Sequence, residues 1–137
     1  MIKKNKINTL LIIVVMFISV NTIAQGSLEE SKKRGESIYT TNCVACHMAN
    51  GEGITGAFPP LAKSDYLMEN TKRAAKNIIE GVSGEMKVNG VSYYGAMVAY
   101  GALSDQEVAD VLNYIRNSWG NKGGLIEVKT IKEVRKK

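Results

Sequence analysis

The stretch Cys43-Val44-Ala45-Cys46-His47 holds the only two cysteines and the only histidine among the 137 residues. Read as a helix, it puts Cys46 three residues and His47 four residues beyond Cys43, so all three side chains leave from one face. Two thiols at that spacing can add across the two vinyl groups of a haem, and the adjacent imidazole can bind the iron through one ring nitrogen. A Cys-x-x-Cys pair also fits a redox-active disulfide, half of a zinc site, or two small buried residues. Zinc would need two further ligands, yet the chain has no other cysteine or histidine beyond His47. A thioredoxin-like site would need strands alternating with helices around it. Covalent haem c is therefore the expected cofactor.

An iron so held needs a sixth ligand or an open position, and no second histidine exists to supply it. Methionine is a soft ligand that raises the reduction potential. Of the six methionines, Met1 and Met16 lie in the N-terminal segment, Met48 adjoins the proximal histidine, and Met68 begins an expected helix. Met86 and Met97 remain, both in a glycine-rich stretch. Met97, bracketed by Gly95 and Gly101 and seven residues ahead of a strong helix start, is the first candidate and Met86 the second.

The elements that must position these groups follow from periodicity and breakers. Residues 1–24 carry Lys3, Lys4 and Lys6, then an apolar run, then Thr22-Ile23-Ala24, the pattern of a secretory signal cleaved after Ala24. The run from Leu10 to Val20 is shorter than the roughly 20 residues of a comfortable bilayer span. An uncleaved inner-membrane anchor is the alternative. Export suits a covalently attached cofactor, and the expected location is the periplasm.

The formal charge of +5 arises from 18 basic and 13 acidic residues. Loss of the three lysines of the signal leaves 15 basic residues against 13, or +2. Five of those basic residues fall in the last ten positions, so the body is mildly acidic and nothing indicates a nucleic-acid partner.

Helix is expected from Leu28 to about Asn42, with Gly35 and Tyr39 on one face and Gly35 read as a close-packing position. Gly51, Gly53, Gly56, Pro59 and Pro60 then form a loop. A second helix is expected over roughly Glu69 to Glu80, closed by Gly81. Gly81 to Gly101 reads as irregular chain that needs something to wrap around. Ser104 and Glu107 form a capping box that opens the clearest helix, with Val108, Val111, Leu112, Ile115 and Trp119 in phase. Val128, Ile131 and Val134 leave the tail either as a short surface helix or frayed. The fold class is all-α, with a signal at 1–24, one domain at 25–124 and a basic tail at 125–137.

Taken together, Tyr39 to His47, Phe58-Pro59-Pro60-Leu61, Asn89-Gly90, Met97 and the closing run from Leu103 to Asn121 resemble the class I monohaem c-type cytochromes. The resemblance implies a small helical domain wrapped around one covalent haem, with Cys43 and Cys46 as thioethers and His47 and Met97 as axial ligands. It further implies that the Pro59 carbonyl accepts the imidazole proton, and that Gly35 and Tyr39 cross the last helix near Tyr114. Related domains work as one-electron carriers or as parts of dehydrogenases, membrane oxidases and copper nitrite reductases, so redox proteins are the expected partners. Membrane contact is expected only through such partners or the uncleaved signal. The chain is not expected to be an enzyme. Members often carry proline after the ligand methionine, where this chain has Val98. Two alternatives complete the reading: an open-site haem that binds a diatomic gas or reduces peroxide, and a haem-free thiol-disulfide module.

Overall fold

A computed structural model describes residues 28–136. The expected signal, its cleavage position and Met16 lie outside these residues, and the contacts below fall within the unit Ser31–Lys137.

The first helix, α1, covers residues 28–42. Its sequence is polar and tertiary packing holds it: Tyr39 is buried, and a methyl group at Gly35 would overlap the Asp110 carbonyl. Near its end the hydroxyls of Thr40 and Thr41 bond back to the carbonyls of Glu36 and Ser37. A short helix α2 (Val44–His47) follows almost without interruption, since the Cys43 N–H still reaches Tyr39 O at 2.8 Å. Met48, at φ +63°, ends it and turns the chain into the glycine- and proline-rich loop. That loop is tied internally: Gly51 O accepts the N–H groups of both Leu61 and Ala62, at 2.7 and 2.8 Å.

Helix was expected from about Glu69; the structure starts it earlier and breaks it once. Ser64 caps α3 (Asp65–Glu69), then Asn70 takes an extended conformation and caps α4 (Thr71–Glu80) through a 2.9 Å bond from the Arg73 N–H. An Asn side chain satisfies a first-turn amide better outside a helix than within one, so the break falls at this residue. Gly81, at φ +76°, closes α4 as the sequence indicated.

The stretch from Gly81 to Gly101 is more ordered than expected. Met86–Val88 (β1) and Val91–Tyr93 (β2) form an antiparallel hairpin with Met86 opposite Tyr93. Asn89 and Gly90 both have positive φ, the backbone of a tight two-residue hairpin turn. Asp65 and Asn89 exchange side-chain-to-backbone bonds of 2.7 and 3.0 Å, which dock the hairpin on the start of α3. The fold remains all-α in class, with this one small two-stranded sheet.

The capping box at Ser104 and Glu107 opens α5 (Asp105–Ile115). Val108, Val111 and Leu112 are fully buried and form the centre of the core. The tail is helical as α6 (Val128–Arg135) and packs against α4 and α5, burying Ile131 and Val134. Before it, Asn113 donates to Ile126 O at 3.0 Å and accepts from the Ile126 N–H at 2.7 Å. The tail thereby belongs to the same core as the helices ahead of it.

Candidate functional site

The motif residues converge on an apolar slot. One cavity of about 130 Å³ is lined by Cys43, Cys46, His47, Pro59, Met86 and Met97, among others. A second of about 80 Å³ adjoins it through Cys43, His47, Pro59, Met86 and Met97, which line both, and it reaches inward to Tyr39 and Leu67. Because these five residues border both, the two are halves of one slot.

His47 reaches the slot from the end of α2 and is only 9 % exposed. Its Nδ1 lies 3.0 Å from Pro59 O, and its backbone carbonyl accepts from the Gly53 N–H at 3.1 Å, so the proline loop holds both ends of the residue. With Nδ1 donating to that carbonyl, Nε2 carries the free lone pair, and the ring tautomer and plane are fixed. Burial pushes the imidazole pKa below its ordinary value, with the Pro59 bond opposing. The ring is thus neutral at neutral pH, the form that can donate electrons to a metal.

Cys43 is half-buried and Cys46 exposed, and their thiols are not joined to each other. Burial, then the neighbouring Cys46, pushes the Cys43 thiol up to about 11. No group of three or more His, Cys, Asp or Glu side chains is gathered as a metal site among the described residues, so the zinc reading finds no ligand set.

Met97 is held by its backbone. Its N–H and C=O pair with Val82 at 2.9 and 3.0 Å, and Gly81 packs so closely that a Cβ there would lie 2.5 Å from Met97 O. Three residues on, Tyr100 ties this wall of the slot to the other: its N–H reaches Ile78 O at 2.8 Å and its hydroxyl donates to Asn42 O at 2.6 Å, directly before Cys43. Val98, in the position where proline is common, borders the first cavity and is 67 % exposed.

Of the two tyrosines singled out from the sequence, Tyr39 lines the inner half of the slot and donates to Met48 O at 2.6 Å. Burial raises its hydroxyl pKa well above the usual tyrosine value, so it stays a neutral donor. Tyr114 stands behind it, centroids 5.5 Å apart, and does not reach the slot. Trp119 completes a cluster at 5.0 Å from Tyr39 and 5.5 Å from Tyr114. Sequence reasoning missed the part played by Tyr100, which no motif marks.

An apolar slot with a neutral, oriented imidazole, two unpaired thiols at its edge and two thioethers in its wall fits a covalent haem. The comparisons agree. The family described as Cytochrome c matches residues 32–119. Cytochrome c-552 of Thermus thermophilus is 37 % identical over 117 residues, 81 % of this chain and 78 % of its own length. Cytochrome c6 of Gracilaria tenuistipitata var. liui is 40 % identical over 88 residues, 64 % of this chain and 72 % of its own. The cytochrome c subunit of alcohol dehydrogenase (quinone) of Gluconobacter oxydans is 33 % identical over 103 residues, which is 74 % of this chain but 22 % of that subunit. This chain belongs to the cytochrome c family of electron-transfer proteins, whose cofactor is covalent haem c.

Proposed function

We propose that the chain is an exported one-electron carrier, not an enzyme, in which His47 and Met97 are the axial ligands and Cys43 and Cys46 the points of attachment. The haem supplies, when bound, a single iron-centred electron step between ferric and ferrous forms. The observation that carries the reading is the slot itself, in which a Pro59-bonded His47 and a backbone-pinned Met97 share both halves.

Each residue then has a definite task. Cys43 and Cys46 would hold the haem covalently, each thiol adding its S–H across one vinyl double bond, sulfur to one carbon and hydrogen to the other. The Pro59 carbonyl holds the Nδ1 proton of His47 and leaves Nε2 as the donor atom. The Met97 thioether, a soft ligand, favours the reduced form and raises the potential. Because Val82 holds the Met97 backbone and Gly53 and Pro59 hold His47, neither ligand needs to move when the charge changes. The apolar walls exclude water from both.

The periplasm is the proposed location, and no helix among the described residues is long and apolar enough to cross a membrane. Redox enzymes are the proposed partners, and the relative that serves a quinone alcohol dehydrogenase supports a dehydrogenase among them.

Met97→Ala tests the ligation. The variant should lose potential by on the order of 0.1 V, within the roughly 0.8 V range that axial ligation commands, and its ferrous form should bind carbon monoxide readily. Spectroelectrochemistry reads the first and a carbon monoxide difference spectrum the second. An unchanged ferric spectrum and potential would remove Met97 and turn attention to Met86.

A further inference from the structure

Between the start of α4, the end of α5 and the segment leading into α6 lies a separate cavity of about 400 Å³, and none of its lining residues also lines the haem slot. Arg116 forms part of its wall. This arginine is 8 % exposed, and no carboxylate pairs with it among the described residues. Its Nη1 donates to Leu67 O at 2.5 Å, and its Nε lies buried beside Gly123 without a hydrogen-bond partner, so both sides of the guanidinium are packed in protein while the residue borders the cavity. A guanidinium taken out of water without a countercharge is costly, and a bound anion would supply what the protein does not.

The same cavity receives the N-terminus of α4 through Thr71 and Lys72. The Asn70 side chain serves the Arg73 N–H, but the amides of Thr71 and Lys72 have no intrahelical carbonyl within reach. Such first-turn donors carry the favourable end of the helix dipole for a negative charge. Thr130 lines the cavity from α6 on the opposite side. One acidic residue, Glu69, also borders the cavity, but its carboxylate is engaged by Arg73 at 2.9 Å. Lys72 is itself paired with Glu133 at 2.8 Å, so the positive charge of the site is chiefly that of Arg116 and the helix end.

We propose that this cavity binds a small oxyanion of the phosphate class, free or carried on a larger molecule, between the Arg116 guanidinium and the first-turn amides of α4. A tetrahedral oxyanion can accept from both elements at once, which joins α4 to α5. Binding only to the folded chain must then raise its stability.

Amide chemical shifts of the ferrous, haem-loaded protein, titrated with inorganic phosphate against chloride of equal ionic strength, provide the test. Saturable shifts are expected at Thr71, Lys72 and residues 124–126, together with a rise in Tm. Glycerol phosphate in a parallel titration separates the sources: tighter binding than inorganic phosphate indicates an ester ligand, and weaker binding the free ion. Arg116→Gln should weaken binding about tenfold or more.

Two further variants keep the test meaningful if that one fails to fold. A Cβ at Gly124 meets no atom within 4 Å, so Gly124→Asp adds a carboxylate at the cavity without a clash and should weaken phosphate by about tenfold. Thr71→Pro removes one amide donor from a first helical position that tolerates proline, and Asn70 before it is already extended. It should weaken binding by about threefold and leave the haem spectrum unchanged. Absence of any saturable response to phosphate, or wild-type affinity in both Gly124→Asp and Thr71→Pro, overturns the proposal.

Discussion

Gly81 controls a residue it does not resemble. It combines a left-handed backbone with a carbonyl neighbour, Met97 O, that leaves no room for a side chain. Gly81→Ala should cost about 1 kcal/mol for the backbone and a further ~1 kcal/mol or more for the displaced contact. The displaced atom belongs to the proposed ligand, so the potential should fall in the same direction as in Met97→Ala, with haem attachment intact. Denaturant unfolding and a redox titration of the same sample read the two effects. A loss of stability with an unchanged potential would mean that the Val82 pairing does not position the ligand.

At this scale the proposed attachment residues could be read from sequence alone, because Cys43, Cys46 and His47 are neighbours whose chemistry needs no fold to bring them together. Met97 could be narrowed from sequence only by elimination, and the Pro59 contact followed only from resemblance. Arg116 was not legible at all. An arginine is ordinarily exposed, and only the packing of Leu67, Gly123 and α6 around it makes it unusual.

Helix α5 shows what a local signal can guarantee. Its Ser104 accepts from the Glu107 N–H while the Glu107 carboxylate accepts from the Ser104 N–H at 2.7 Å. Ser104→Ala should therefore lower stability by about 1 kcal/mol, read as a shift in the denaturant midpoint, with the absorption spectrum unaltered. The hairpin is the contrasting case. Its strands are three residues each, too short for alternation to register, and the glycines around them read as loop. Asn89-Gly90 was the signal that could have found it, since both residues take the positive φ of a hairpin turn. Asn70 divides α3 from α4 for a reason equally local, yet the apolar stripe of Ala74, Ala75 and Ile78 starts late enough to hide it.

Across the whole molecule, Asp110 joins segments far apart in sequence. It is 1 % exposed and accepts from Ser31 at 2.5 Å, from Arg34 at 2.7 and 2.8 Å, and from Gln106 at 2.9 Å. Burial raises its pKa, but the bonds from Arg34, Ser31 and Gln106 outweigh burial and leave it below the usual aspartate value. A carboxylate with a depressed folded-state pKa stabilises the fold above its unfolded pKa, near 3.9, and loses that contribution as pH falls through the lower folded value. Asp110→Asn should cost about 2 to 3 kcal/mol at pH 7 and flatten the stability curve below about pH 4. Denaturant midpoints measured from pH 7 to pH 2 compare the two proteins; parallel curves would exclude Asp110 as the source of acid sensitivity.

The paired bonds between Asn113 and Ile126 have one further consequence. A side-chain amide that both donates to and accepts from a single backbone residue behaves as a one-residue strand partner, and so acts as an index mark on the segment before α6. It fixes which residue of that segment lies against α5, and with it the phase in which Ile131 and Val134 enter the core. Length is then a constrained property of residues 121–125, beside the identities of the buried Asn121 and the close-packed Gly123. Deleting Lys122 should unseat α6 and lower Tm, whereas exchanging that lysine for another polar residue should be nearly silent.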